Sequence, residues 1–148
     1  MQKPKHISKE NRQKAIEQLH REGCSCVICD GANFHSFHQR GVKDLHSLLT
    51  TRQEVLRGAF IADKVVGKGA AALMILGGIE ALYADTISES ALELLGKYSI
   101  EAEYGNLVPH IINRAGTGIC PVETLCRECH TAQECLPLIN KFIESLTK

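Results

Sequence analysis

Residues 113–123 read Asn-Arg-Ala-Gly-Thr-Gly-Ile-Cys-Pro-Val-Glu, an extended, glycine-containing run that gives way to a helix. Gly116 and Gly118 let backbone N–H groups come close to a ligand, and a helix start adds unpaired donors and positive potential. Asn113, Thr117 and Gly118 are therefore candidate ligand-binding positions. Cys120 fits the N-cap, Pro121 the first helical position, and Glu123 the place from which a carboxylate reaches back to the cap. A thiol at a helix N-terminus is expected to be more acidic and more reactive than a core thiol, which makes Cys120 a candidate nucleophile. A glycine turn before a capped helix would read the same way, so both readings stay open.

The other reactive side chains are clustered. Seven cysteines fall into two groups, Cys24, Cys26 and Cys29, then Cys120, Cys126, Cys129 and Cys135. An odd count gives no disulfide framework. The second group places four thiols within sixteen residues around a Cys-x2-Cys pair. Four thiolates can hold Zn²⁺ or an iron–sulfur cluster, with His130 as a spare ligand, provided the chain bends back between Cys129 and Cys135. The alternative is free thiols packed as small hydrophobes. On the first strand, Cys24 and Cys26 are expected to face one side and Cys29 the other, which suits core packing. His35 and His38 likewise face opposite ways. His110, near the glycine run, is the best placed of the histidines for acid–base work.

Elements that could position these groups are legible from periodicity. Residues 1–7 read as a tail. Ser8 caps a helix to about Glu22, with Ala15, Ile16 and Leu19 inward and Gly23 as its stop. Residues 24–30 and 33–39 form a hairpin turned at Asp30-Gly31. Val42, Leu45 and Leu49 keep helical spacing, and 55–62 reads as a strand bounded by Asp63-Lys64. Residues 67–78 are a buried Ala-rich helix, 80–85 a strand, and Ser88 opens a helix carrying Ala91, Leu94, Leu95 and Tyr98 on one face. Residues 101–113 are extended, a helix starts at Pro121 (one that reached 130 would put Cys126 and Cys129 on one face), and a last helix aligns Ile139, Phe142, Ile143 and Leu146. Strands alternating with helices imply crossovers and a helix-covered, partly parallel sheet.

Composition bounds the rest. The chain has 148 residues, 44% hydrophobic and 23% charged, with no net charge, as in an ordinary globular domain. Residues 1–21 carry six Lys or Arg against two Glu, leaving 11 against 15 in the remainder. That basic arm could meet an anionic partner or be a solvated helix. Seven aromatics and no Trp argue against a stacking platform for nucleic acid. The apolar run 69–79 is too short to span a bilayer, and no apolar segment follows the charged N-terminus. A cytoplasmic location is expected.

Several words in this order carry a resemblance: Ala-Asp-Lys-Val-Val-Gly-Lys at 62–68, Tyr-Ala-Asp at 83–85 with Ile-Ser-Glu at 87–89, and Leu-Val-Pro-His-Ile-Ile-Asn-Arg at 107–114 with Gly-Thr-Gly-Ile-Cys-Pro-Val-Glu at 116–123. Over residues 24–146 the chain resembles a small uncharacterised prokaryotic family within the cytidine-deaminase-like superfamily. The resemblance implies architecture more than chemistry. Zinc deaminases place His-x-Glu or Cys-x-Glu at one helix start and Pro-Cys-x-x-Cys at the next. The matching starts here, near 63–68 and 87–90, hold neither His nor Cys. His20-Arg-Glu22 and Cys126-Arg-Glu-Cys129 occur elsewhere, at the wrong spacing. The starts carry Lys64, Lys68 and Ser88, which suit a phosphate or carboxylate, and Asp63, Asp85 and Glu89, which accept from hydroxyl or amide groups. Plain helix capping would use the same residues.

The expected fold is therefore a three-layer α/β/α domain with a mixed, cytidine-deaminase-like sheet over 23–148, preceded by a basic tail and an extra N-terminal helix over 1–22. The expected function is binding of a small anionic, nucleotide-like molecule in a deaminase-like cleft without catalytic zinc or other cofactor. Any catalysis would use Cys120 as nucleophile, or Asp63 with Lys64 for proton transfer. A zinc or iron–sulfur protein built on Cys120, Cys126, Cys129 and Cys135 is one alternative, and a non-catalytic partner-binding module using the basic helix is the other.

Overall fold

Ser8 caps the first helix as its spacing predicts. Its Oγ accepts from the Asn11 N–H at 3.1 Å, and α1 runs Lys9–Glu22 before Gly23 ends it at φ 64°. The computed structural model describes residues 7–31, 33–39, 42–112 and 116–146. The tail residues 1–6 and Asn113 lie outside the described residues.

The predicted hairpin is present. Strand β1 (Cys26–Cys29) pairs antiparallel with β2 (Phe34–Phe37). Helices α2 (Lys43–Thr51) and α3 (Gln53–Leu56) then lead to β3 (Phe60–Val66), which lies antiparallel to β1. Two crossovers follow: α4 (Lys68–Gly77) to β4 (Ala81–Ser88), and α5 (Glu89–Lys97) to β5 (Glu101–Val108). Both make parallel pairs, giving a mixed five-stranded sheet in the order β2-β1-β3-β4-β5. Short α6 (Pro121–Leu125) and long α7 (Ala132–Leu146) complete the chain.

Two successive crossovers that step the same way across a sheet put their helices on one face. Accordingly α4 packs against α2, α5 and α7, over a core that includes Ile61, Leu73, Leu82, Leu94 and Ile139. Helix α1 covers the other face, where Ile7, Ala15 and Leu19 meet Val27, Cys29, Phe60 and Ala62. The N-terminal helix is thus itself an outer layer. Its Arg12 lies 5.4 Å from the Phe60 ring centroid and donates to Glu80 and Glu101 at 3.1 Å each.

Some boundaries differ from expectation. Ile7 is no tail residue: it is 1% exposed and its N–H donates to Glu80 at 3.1 Å. Val55 and Leu56 belong to α3, because Gly58 at φ 70° turns the chain before the strand begins. The strand β3 then continues through Asp63 and Lys64 instead of stopping there, with Asp63 opposite both Cys26 and Ala84. Polarity misled at this point, since Asp63 lies where the sheet opens into a groove. Helix α4 consequently starts at Lys68, with Gly67 as its N-cap. Strand β5 ends at Val108, short of the predicted 113. Residues 121–130 are not one helix: α6 stops at Leu125. Cys24 precedes β1, so the strand's alternation does not reach it, and it joins Cys29 on the α1 face while Cys26 faces α4. Among the described residues no helix is long and apolar enough to cross a membrane.

Candidate functional site

At the carboxyl end of β3 a groove of about 920 Å³ opens between β1, β3, the start of α2, the start of α6 and the end of α7. Open sheets of this kind bind ligands outside such strand ends. Strand alternation builds its floor. Phe60 and Ala62 point toward α1, so Ile61 and Asp63 point the other way. Asp63 lines the groove, yet is only 9% exposed. Burial pushes its carboxyl up to about 7, against the lowering effect of the Val65 and Lys64 N–H groups; the Asp85 charge adds to the rise. One oxygen accepts from the Val65 N–H at 3.3 Å. Beside it, Cys26 has its thiol pushed well up by burial first, then by the charges of Asp63 and Asp44. Asp44 comes from the first turn of α2, and Lys43 and Lys64 are exposed residues of the groove lining.

The three proposed catalytic residues, Cys120, Asp63 and Lys64, all border this groove. Cys120 is half-buried at the start of α6, with its N–H donating to the Ile111 carbonyl at 2.8 Å. The Lys64 ammonium makes a 3.4 Å contact with the Gly23 carbonyl. The other predicted positions do not gather there. Lys68 is buried, and its ammonium donates to the Arg127 and Cys129 carbonyls at 3.2 and 2.5 Å. Ser88 is buried at the N-cap of α5 and donates to Glu123 at 2.7 Å. Asp85 turns toward α1, where His20 and Tyr83 hold one of its oxygens at 2.7 and 2.8 Å. Glu89 and Thr117 are exposed, Gly118 is half-buried, and Asn113 falls outside the described residues.

Glu123 explains why Lys68 and Ser88 are withdrawn. It does not reach back to Cys120. Its carboxylate, 4% exposed, accepts from the Lys68 N–H at 2.9 Å, from Ser88 and Ser90 hydroxyls, and from the Ile111 N–H. The helix starts expected to receive an anion thus receive one from the protein itself. The glycines serve the same contact: a Cβ on Gly69 would lie 2.2 Å from Val122 Cγ1, so α4 and α6 need glycine there. Asp44 and Cys26 were the groove residues that sequence reasoning missed. Asp44 looks like any acid in a first helical turn, and Cys26 like any strand cysteine.

The C-terminal thiols come together in part. Cys126, Cys129 and Cys135 are buried, and Cys135 lies within hydrogen-bonding reach of both others. The hydrogen bond from Cys135 lowers the Cys126 thiol and raises that of Cys135, while burial foremost pushes Cys129 up to about 11. Cys120 stands at the opposite end of α6, in the groove wall. The four-thiol set therefore does not converge, and among the described residues no group of three or more His, Cys, Asp or Glu is arranged to hold a metal ion. His110 is exposed beside a small pocket of about 60 Å³ with Ser90, Glu123 and Arg127.

Comparison with known proteins places this geometry in a family without an assigned activity. No curated protein matches the sequence. A crystal structure of the DUF1893 family protein TM1506 from Thermotoga maritima is similar to the chain with a TM-score of 0.85 and 23% identity, over 95% of each chain. At that identity the likeness concerns the fold. Residues 14–143 match the family described as TM1506, a domain of unknown function (DUF1893), and the chain belongs to that family.

Proposed function

We propose that the groove binds a small nucleotide-like molecule, and that Asp63 is the group that exchanges protons with it. The observation that carries this reading is a carboxyl only 9% exposed that nevertheless lines a groove and titrates near 7. An acid with a pKa near the working pH is present in both protonation states, which is what general acid–base catalysis needs. The anionic end of the ligand would lie at the rim, against the exposed Lys43 and Lys64. Cys120, the least buried of the thiols, borders the same space.

The reading treats the domain as a relative of the cytidine-deaminase-like fold that works without the zinc ligands. Seven free thiols, six of them buried, support a reducing cytoplasmic setting. The partner-binding alternative has less behind it, because Arg12 of the basic helix is committed to Glu80 and Glu101.

Thermal unfolding with a panel of nucleosides and nucleoside monophosphates tests the proposal. A ligand at a hundred times its dissociation constant adds about 2.7 kcal/mol, a rise of several degrees in a domain of this size. At least one member should stabilise the native chain and fail to stabilise Asp63→Asn. Stabilisation by none, or equally in both proteins, would overturn it.

A further inference from the structure

The groove has an acidic, uncompensated floor under apolar walls. Asp63 and Asp44 both line it, as does Cys26, the cross-strand neighbour of Asp63, whose thiol feels both charges. Neither carboxylate has an ion pair among the described residues. Asp44 Oδ2 is buried with no hydrogen-bond partner, and such an orphaned acceptor costs about 1–3 kcal/mol. Buried polar groups are normally satisfied, so an exception beside an open groove points to a missing donor. The walls are Phe37, Val42, Leu45 and Phe142.

We infer that the floor receives an amidine-type edge, a planar carbon bearing two N–H donor nitrogens on an apolar body, with Asp44 and Asp63 accepting from it. The inference rests on the groove reading above and names the end of the ligand that enters first. The walls and floor together choose this chemistry. A carboxylate or phosphate would meet two acids and no buried cation, since Lys68 is bound to main-chain carbonyls and Lys43 and Lys64 are exposed. A metal ion would need a third protein ligand that the described residues do not bring. A fork of N–H donors satisfies two separated carboxylates at once and leaves its flat body against the aromatic walls, where charge-assisted hydrogen bonds are strong.

Benzamidine, benzamide and benzoate form a matched probe set for calorimetry and ¹⁵N–¹H chemical-shift titration of the full chain. Benzamidine should perturb the amides around Cys26, Asp44 and Asp63. Its affinity should fall by about tenfold or more in Asp44→Asn and in Asp63→Asn, as expected when one partner of a desolvated charged hydrogen bond is lost. Benzamide should bind more weakly than benzamidine, and benzoate should leave the groove amides unmoved. The amide spectrum of each variant verifies that it is folded, and raising the pH through 7 should tighten benzamidine binding to the native chain. Benzoate binding as well as benzamidine, benzamidine binding unchanged in both variants, or no benzamidine binding would overturn the inference. If nucleoside monophosphates stabilise the chain through Asp63 while benzamidine fails, only this inference falls; if neither set binds, the groove reading falls with it.

Discussion

Ser88 Oγ donates to Glu123 Oε1 across 2.7 Å, joining the N-cap of α5 to α6 inside the protein. The same oxygen accepts from the Lys68 N–H in the first turn of α4 at 2.9 Å. One buried carboxylate therefore sits at two helix starts, where both dipoles favour it. Replacing Glu123 by Ala leaves these donors unsatisfied and should cost about 3 kcal/mol or more. Glu123→Gln, which keeps one carbonyl acceptor, should cost less. A denaturant midpoint for Glu123→Ala equal to that of the native chain would contradict this account.

Lys68 is a structural cation. Its ammonium satisfies the Arg127 and Cys129 carbonyls in the turn after α6, so Lys68→Met should lower stability by about 1–3 kcal/mol. Ligand affinity in the groove should stay within about twofold, because that ammonium is held away from the groove lining. Parallel unfolding and binding titrations separate the two effects. A large loss of affinity with stability intact would restore Lys68 to the site.

Asp63 should make the fold less stable as pH rises. Its folded pKa, about 7, lies above the ordinary Asp value. Stability is therefore full below about pH 4 and is lost progressively up to about pH 7, beyond which it levels; a three-unit rise corresponds to on the order of 4 kcal/mol. Asp63→Asn cannot ionise, so it should be nearly neutral at or below pH 4, already somewhat more stable than the native chain at pH 5, and most clearly so at pH 8. Unfolding midpoints of the two proteins across that range test the sign. A variant that loses stability at pH 8 would show Asp63 to be stabilised in its charged form.

Cys120 should react first among the seven thiols. It is half-buried whereas the other six are buried, and α6 has only five residues, so exposure is the ground for this ranking. Brief alkylation of the folded protein followed by peptide mapping reads the order. Earlier labelling of Cys126, Cys129 or Cys135 would mean that the α6–α7 segment opens more readily than the groove wall.

Local rules made much of the fold legible. Ser8 and Gly23 bracket α1, Gly67 and Gly78 flank α4, and Ser88 opens α5 where their chemistry says they should. Asp63 was legible as a functional candidate but not as a strand residue, because a polar pair normally marks a boundary. Its neighbours in the groove depend on contacts between residues far apart in sequence: Asp44 arrives from α2 and Cys26 from β1. In sequence Lys68 and Ser88 fit a ligand site and plain capping alike, because nothing local reveals that Glu123, 55 and 35 residues on, fills their place. Cys120 stands at the start of α6, as its place before Pro121 implies, and so apart from Cys126, Cys129 and Cys135, which only the four-thiol alternative would have joined to it.

The most direct test of the groove as the binding site is a ¹⁵N–¹H chemical-shift titration of the full chain with nucleoside monophosphates, run beside Asp63→Asn. The account predicts saturable shifts confined to the floor and walls, at Cys26, Asp44, Asp63 and Val122, that weaken or vanish in the variant. Shifts confined to the His20–Asp85 side of the sheet, shifts identical in the variant, or none at all would contradict it.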